Sequence, residues 1–382
     1  MLFLALKEVI TIKKILFGIT SLTLGGAERV LVDISNKLSE KYDITIFSIY
    51  DNGELKNDLN KNVKFKALYN CRYDELTKLQ KMWIPIKILL FSKIIYNKKI
   101  KQNYDTEIAF LEGPITRLFS TKNKDVHKIA WIHNDIEKVF GNDLKSKIKK
   151  YIDKKIYKKY NDLVFVSQDN MEKFQNIYND LNTENMHVIY NYIDKDLVIK
   201  KSNYNIKVEF DYNSINFLTV CRLVKQKAID RFIRVHSKLI KRGLKHKVYI
   251  IGDGPEKENL QKLIKQENVE DTFVLLGKKE NPYPYIKNAN YFCLLSEFEG
   301  YGMVLEEAKI LNKPIIITNT AARECIENYP KALILENSED EIYDGLYKLL
   351  NDNDDKIFNN TQTSTEYDNT EKLQKIIELV GD

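Results

Sequence analysis

Apolar runs of strand length alternate with stretches whose apolar residues recur at helical spacing, from one end of the chain to the other. "KKILFGITSL" reads as a strand, and "GGAERVLVDISNKLSEK" as the amphipathic helix that follows it. "YDITIFSIY" and "VKFKAL" are two further strands, and residues 83–101 a helix. "YDTEIAFL", "HKIAWIH" and "NDLVFVS" add short apolar runs of strand length. This βαβ rhythm predicts a parallel sheet with helices on both faces.

Near residues 195–214 the rhythm lapses. "DKDLVIKKSNYNIKVEFDYNSI" is polar, aperiodic and rich in Asn, which predicts a linker. The pattern then restarts with strand "NFLTVCRL", helix "AIDRFIRVHSKLIKRG", strand "KVYIIGDG", helix "EKENLQKLIKQENV" and strands "TFVLLG", "YFCLLS" and "KPIIITNT". Two successive doubly wound α/β domains are therefore expected, residues 1–195 and 196–362, followed by a last amphipathic helix in 363–382. In such sheets ligands bind beyond the carboxyl ends of the strands, so the residues just after each strand are the ones to inspect.

A chain of 382 residues with 43% hydrophobic and 30% charged residues suits this two-domain, globular reading. The four cysteines, Cys71, Cys221, Cys293 and Cys325, show neither CxxC pairing nor metal-ligand spacing, which argues against a disulfide framework and a structural zinc. The apolar opening "MLFLALKEVITIKKILFGITSL" is interrupted by charges and lacks a cleavage site, and no run reaches the ~18 apolar residues of a membrane span. A cytoplasmic protein is expected. Residues 1–195 hold 33 Lys+Arg against 24 Asp+Glu, whereas residues 196–382 hold 27 against 30. The basic excess peaks at 78–101 and 143–160; it fits solvated helix faces, or peripheral contact with an anionic membrane at its inner face. No nucleic-acid recognition module accompanies the charge.

The strand-end positions of the second half carry the chemistry. Arg222 and Lys227, in "VCRLVKQKAIDRF", project from one strand-to-helix loop; a guanidinium fork and an ammonium point charge together suit a diphosphate. "IIGDGPEKENL" is read as a strand-to-helix turn in which Gly252 and Gly254 permit unusual backbone. In "SEFEGYGMVLEEA", Glu299 lies in a loop and Glu307 in the helix after it, with open backbone N–H groups expected from Gly300 to Met303. Carboxylate acceptors beside amide donors complement a polyhydroxylated ligand that bears phosphate. "DND" at 352–354 mimics a metal-binding DxD but sits in a polar Asn/Asp run, and is read as a solvated turn.

The set "GGAERV", "CRLVKQKAID", "GDGPEKENL" and "EGYGMVLEEA", in this order over nearly the whole chain, resembles the retaining glycosyltransferase family four. That resemblance implies a GT-B fold: two doubly wound Rossmann-like domains facing across a cleft, with the C-terminal helix returning to the first. It implies that Arg222 and Lys227 bind the donor diphosphate and stabilise the departing nucleotide. Glu307 would accept from the ribose hydroxyls, Glu299 would touch the transferred sugar, and Gly300, Tyr301, Gly302, Met303 and Val304 would line the donor. Gly25 and Gly26 match the loop that approaches the phosphates from the other domain, and His133 matches a histidine near the sugar. Ser167, Asn191 and Glu324 are weaker candidates. Two residues depart from the pattern: Cys221 and Ala228 stand where the family commonly has glycine.

The implied reaction moves a hexose or N-acetylhexosamine from a nucleotide-diphosphate sugar to an acceptor hydroxyl with retention, without a metal or other cofactor. UDP is favoured over GDP as the carrier. The expected acceptor is a lipid-linked glycan of capsule, lipopolysaccharide or another bacterial surface polysaccharide. Two other readings remain at this point: a catalytically silent GT-B protein that binds a sugar nucleotide or partner enzyme, and a glycoside hydrolase using Glu299 and Glu307 as acid and base.

Overall fold

The structure, a computed structural model, describes residues 12–73, 75–100, 104–121, 125–134, 143–352, 358 and 367–381. Residues 1–11 of the apolar opening, Asn353 and Asp354 of "DND", and the expected boundary at 362/363 lie outside them. The chain divides into two compact units, the first formed by Met1–Tyr192 with Thr370–Asp382, the second by Ile193–Asn369.

The first unit is a seven-stranded parallel sheet. Its strands are β1 (Lys14–Ile19), β2 (Asp43–Tyr50), β3 (Lys64–Tyr69), β4 (Thr106–Ala109), β5 (His127–Ile132), β6 (Asp162–Phe165) and β7 (Met186–Val188). Their order across the sheet is β3-β2-β1-β4-β5-β6-β7, so the winding reverses between β1 and β4. Helices α1 (Gly26–Leu38), α2 (Lys78–Lys99), α3 (Pro114–Phe119), α4 (Leu144–Tyr157) and α5 (Gln168–Ile177) connect the strands. Helix α1 forms as its sequence predicts, turning Val30, Leu31, Ile34 and Leu38 inward at helical spacing.

Helix α2 divides its apolar residues between two faces. Ile84, Ile88 and Tyr96 are buried, whereas Leu79, Met82, Trp83, Ile86, Leu90 and Ile94 are exposed. Thr77 and Gln80 close its start as a capping box. Its far end is fastened by a buried polar knot. The Tyr96 hydroxyl donates to Glu107, and Lys128 meets the other oxygen of Glu107 at 2.6 Å while also donating to the Phe119 carbonyl at 2.8 Å. Glu107 and Lys128 face each other because β4 and β5 pair in that register. Among the described residues no helix is long and apolar enough to cross a membrane.

The second unit is a six-stranded parallel sheet of β8 (Ile215–Val220), β9 (His246–Ile251), β10 (Phe273–Gly277), β11 (Tyr291–Leu294), β12 (Ile315–Thr318) and β13 (Ala332–Leu335). The order β10-β9-β8-β11-β12-β13 places its reversal between β8 and β11. Its helices are α6 (Lys195–Ser202), α7 (Ile229–Lys241), α8 (Lys257–Gln266), α9 (Tyr283–Asn288), α10 (Met303–Ile310) and α11 (Glu339–Asp352). Phe217, Phe232, Phe273 and Ile316 belong to one core.

The expected linker begins as a helix instead. Asp194 caps α6 by accepting from the Leu197 N–H at 2.9 Å, and Asn281 donates to the Lys201 carbonyl at 2.8 Å. The helix buries only Val198 and Ser202, too little to leave an apolar period in the sequence. The final helix, α12 (Thr370–Gly381), is part of the first unit and buries Ile376 and Val380. Lys13 donates to the Gly381 carbonyl, and the Thr106 hydroxyl to the Val380 carbonyl at 3.3 Å.

Candidate functional site

The carboxyl ends of β8 and β11 are neighbours, and the loops after them are sewn together. The Glu297 N–H donates to the Gln226 carbonyl at 2.9 Å, and the Gln226 side-chain amide donates to the Phe298 carbonyl at 2.9 Å. This brings Lys227 Nζ to 2.5 Å from Glu299 Oε1, an oxygen that also accepts from the Ser296 hydroxyl at 2.6 Å. Glu299 is only 8% exposed, and the Lys227 side chain 18%. An ammonium has three donors, so Lys227 keeps two N–H groups beyond the carboxylate. Arg222 lies on the same loop but is exposed, and no side-chain hydrogen bond or ion pair holds it among the described residues.

The segment carrying Arg222 continues the β8–β9 pairing past the ends of both strands. Cys221 N–H donates to Ile251 O and Leu223 N–H to Asp253 O, each at 3.0 Å. So close an approach leaves no room for a side chain at Gly252, where an added Cβ would stand 1.8 Å from the Cys221 carbonyl oxygen. The turn at Gly252 and Gly254 is thus the backing of the Arg222 loop, more than a strand-to-helix connection. Burial pushes the Cys221 thiol up to about 12, so this residue is packing, not a nucleophile. Ala228 sits between the short 3-10 turn Lys225–Lys227 and α7 with φ 47° and ψ 37°. The left-handed conformation that favours glycine is therefore present, held by an alanine.

Gly302 opens α10 with φ 76°, and no side chain caps the helix start. Backbone N–H groups at such an uncapped helix start attract an anion. Met303, Val304, Gly300 and Gly302 are all partly exposed there. Tyr301 is turned inward: its side chain is buried and its hydroxyl donates to Glu306. Glu307 is 9% exposed and accepts from the Tyr283 hydroxyl at 3.2 Å. The two glutamates therefore have separate partners, unlike an acid and base sharing one glycosidic bond. Glu324 lies in the 3-10 turn Ala321–Cys325 after β12; Ala322 of that turn packs beside Gly302. A cavity of about 330 Å³ between α7 and α8 is lined by Lys225, Asp230, Arg234 and Glu297 and includes none of the expected donor residues.

In the first unit the loops after β1, β4 and β5 share the sheet's ligand edge. Gly25 is the extended residue before α1, with the Glu28 carboxylate over it; burial raises the pKa of that carboxylate. Gly26 begins the helix. His133 directly follows β5, its ring 4.7 Å from Phe110 and 6.4 Å from Trp131. Its Nε2 is buried without a hydrogen-bond partner among the described residues, and burial pushes its pKa down to about 3. Ser167 caps α5 by accepting from the Asn170 N–H at 3.1 Å, a structural role. Asn191 is buried with Oδ1 unpartnered. Glu112, which follows β4, accepts from the N–H groups of His133 and Asn134 at 2.8 and 2.7 Å. The strand-end rule applied to "FLEGP" would have found it.

Among the described residues no three His, Cys, Asp or Glu side chains group so as to hold a metal ion. Residues 200–365 match the family model described as "Glycosyl transferases group 1". An N-acetylgalactosamine-N,N'-diacetylbacillosaminyl-diphospho-undecaprenol 4-alpha-N-acetylgalactosaminyltransferase of Campylobacter jejuni is 28% identical over 87% of this chain and 89% of its own length. The O-antigen biosynthesis glycosyltransferase WclY of Escherichia coli is 24% identical over 80% of each chain. The crystal structure of Anabaena Alr3699/HepE in complex with UDP and glucose superposes with a TM-score of 0.73 at 15% identity, over 97% of this chain and 99% of that one. Two parallel sheets in the GT-B manner, relatives that span most of the chain and the glycosyl transferases group 1 match over the second unit agree: the chain is a glycosyltransferase.

Proposed function

We propose that this glycosyltransferase moves a hexose or N-acetylhexosamine from a UDP-sugar, with retention, to a hydroxyl of a lipid-linked glycan in surface-polysaccharide assembly. The Lys227–Glu299 contact at the winding reversal of the second sheet carries the reading, because it joins a phosphate-binding cation to a sugar-binding carboxylate. Two Lys227 N–H groups and the exposed Arg222 guanidinium bind the diphosphate and stabilise the charge that develops as the nucleotide leaves. The Met303 end of α10 adds backbone donors, Glu307 accepts from the ribose, and Glu299 accepts from the sugar while Lys227 and Ser296 hold it in place. Charge stabilisation by these groups replaces a metal. In the first unit His133 and the Gly25–Gly26 turn serve the same transfer, His133 through the unpartnered Nε2.

The relatives support the substrate class: one acts on a diphospho-undecaprenol glycan, another in O-antigen biosynthesis, and the Anabaena structure holds UDP and glucose. For the acceptor's lipid, the exposed apolar stripe on α2, from Leu79 to Ile94, is flanked by Lys78, Lys81, Lys87, Lys93, Lys98 and Lys99. Such a face suits the interface of an anionic bilayer at the cytoplasmic side.

The test is calorimetric binding and turnover with UDP- and GDP-sugars, comparing the wild type with Lys227→Ala and Glu307→Ala. Binding of a UDP-sugar that both substitutions weaken supports the reading. No nucleotide sugar bound, or both variants equal to wild type, refutes it. Co-sedimentation with phosphatidylglycerol vesicles should weaken as salt rises; absence of binding at every salt concentration removes the membrane contact.

A further inference from the structure

The carboxylate of Glu112 takes three hydrogen bonds from one short segment. Oε1 accepts from the backbone N–H groups of His133 at 2.8 Å and Asn134 at 2.7 Å, and Oε2 accepts from the Asn134 side-chain amide at 3.0 Å. Two consecutive N–H groups pointing at one oxygen fix the direction in which the chain leaves β5.

Glu112 is itself held from both sides. Phe110 N–H donates to the Gly18 carbonyl at 2.8 Å, extending the β1–β4 pairing toward it. On the other side Gly113, with φ 95°, turns the chain into α3, where the Arg117 N–H closes the first turn on the Gly113 carbonyl at 3.1 Å. Glu112 therefore stands at the winding reversal between β1 and β4, the position where doubly wound sheets place their ligands. Its carboxylate faces the backbone of the His133 segment.

The same segment orients the imidazole. The ring leans on Phe110, the residue two before Glu112, and on Trp131, while Nε2 keeps no protein partner. Packing fixes the faces of the ring, and the Glu112 clamp fixes the backbone from which it projects.

We propose that Glu112 is a positioning residue for sugar transfer: by clamping the His133 and Asn134 backbone it sets the direction in which the first unit presents His133 Nε2. The inference rests on the proposed role of His133 in the transfer. Glu112 touches neither substrate nor reacting atoms, so its loss reduces turnover through the misplacement of His133. It leaves nucleotide affinity alone, because Arg222, Lys227 and Glu307 belong to the second unit and the Gly25–Gly26 turn makes none of the Glu112 hydrogen bonds.

Glutamine should replace glutamate here. Its Oε1 can accept both backbone N–H groups, and a flipped Asn134 side chain can accept from its Nε2, so all three bonds survive. Alanine leaves two N–H groups without an acceptor. Aspartate keeps the charge but withdraws it by one methylene, about 1.5 Å, beyond hydrogen-bond reach.

The experiment measures kcat and KM of the full chain with whichever of UDP-glucose, UDP-N-acetylglucosamine and UDP-N-acetylgalactosamine it turns over, together with UDP affinity by calorimetry. His133→Ala, Glu112→Ala, Glu112→Asp and Glu112→Gln are compared. A displacement near 1 Å at a positioned group costs about 10²-fold in rate. Glu112→Ala and Glu112→Asp should therefore lose about 10- to 100-fold in kcat, with UDP affinity within about 2-fold and Glu112→Gln within about 3-fold of wild type. If Glu112→Ala does not fold, the contrast between Asp and Gln decides. Asp and Ala variants with wild-type kcat beside an impaired His133→Ala overturn the clamp and spare the role of His133. A Gln variant as impaired as Asp overturns it also. Full activity in His133→Ala overturns the role of His133, and the clamp's purpose with it.

Discussion

Replacing Gly252 with alanine places a methyl carbon 1.8 Å from the Cys221 carbonyl oxygen, at a backbone φ of 150°. Real Cβ contacts do not fall below 3.0 Å, so that carbonyl has to retreat by about 1.2 Å. The retreat cannot be absorbed by a rotamer change, because the obstructing atom is backbone. Cys221 is also tied to Ile251 by its own N–H, at 3.0 Å, and precedes the residue expected to bind the diphosphate. Overpacking costs about 1–3 kcal/mol and the unfavourable φ about 1 kcal/mol more, giving an expected loss of about 2–4 kcal/mol. A shift near 1 Å in the Arg222 loop should lower kcat/KM about 10²-fold. Gly243→Ala is the matched control: φ there is 84°, but nothing lies within 4 Å of the added Cβ. It should cost about 1 kcal/mol and leave activity unchanged. Urea unfolding and steady-state transfer kinetics read both. A Gly252→Ala protein as stable and active as the Gly243→Ala control would refute the reasoning, since both glycines have positive φ and the clash is found at Gly252 alone of the two.

Four further outcomes are expected. Ala228→Gly relieves left-handed strain of about 1–2 kcal/mol but gives up a buried methyl and chain stiffness of similar total size, so urea unfolding should shift by less than about 1 kcal/mol. Ala228→Val should lose about 2–3 kcal/mol in the same assay. Lys128→Ala strands the buried Glu107 carboxylate with only the Tyr96 hydroxyl and should cost about 3–5 kcal/mol by thermal or urea unfolding. Acid should weaken the second unit through the pair His236 and His246, whose rings meet at 2.8 Å. Burial holds their pKa values down to about 2 and about 4. The unfolded chain takes up these protons first, so the stability is present above about pH 6.5 and is lost as pH falls toward the folded values. Between pH 6.5 and 5.0 the loss should approach roughly 2 kcal/mol per histidine, measured by urea titration at each pH.

What the sequence disclosed, and what it withheld, follows from how local each feature is. Most of the strands were legible because each is a continuous apolar run, and Arg222, Lys227 and Glu299 stood out as candidates because each stands a few residues after such a run. That Lys227 meets Glu299 was not legible. It depends on β8 and β11 lying side by side, and two other strands separate them along the chain. Helix α6 was hidden because it buries too few residues to show a period, and β13 because its residues are mostly half-exposed. Glu112 obeys the same strand-end rule as Glu299, yet its partners are backbone groups, which carry no signature in a sequence. The left-handed Ala228 shows the reverse. The departure from glycine was visible in the sequence, and only the backbone angles show what it costs.

The return of α12 to the first unit also sets an order of events during synthesis. Residues 193–369 form a contiguous compact unit, so that unit has all its parts before the first one does. The first unit emerges earlier but waits for residues 370–381, whose carbonyls receive Lys13 and Thr106. The usual rule that the N-terminal domain finishes first is thereby inverted. A premature stop within the last helix would accordingly spare the second unit and injure the first, whose opening strand was translated long before.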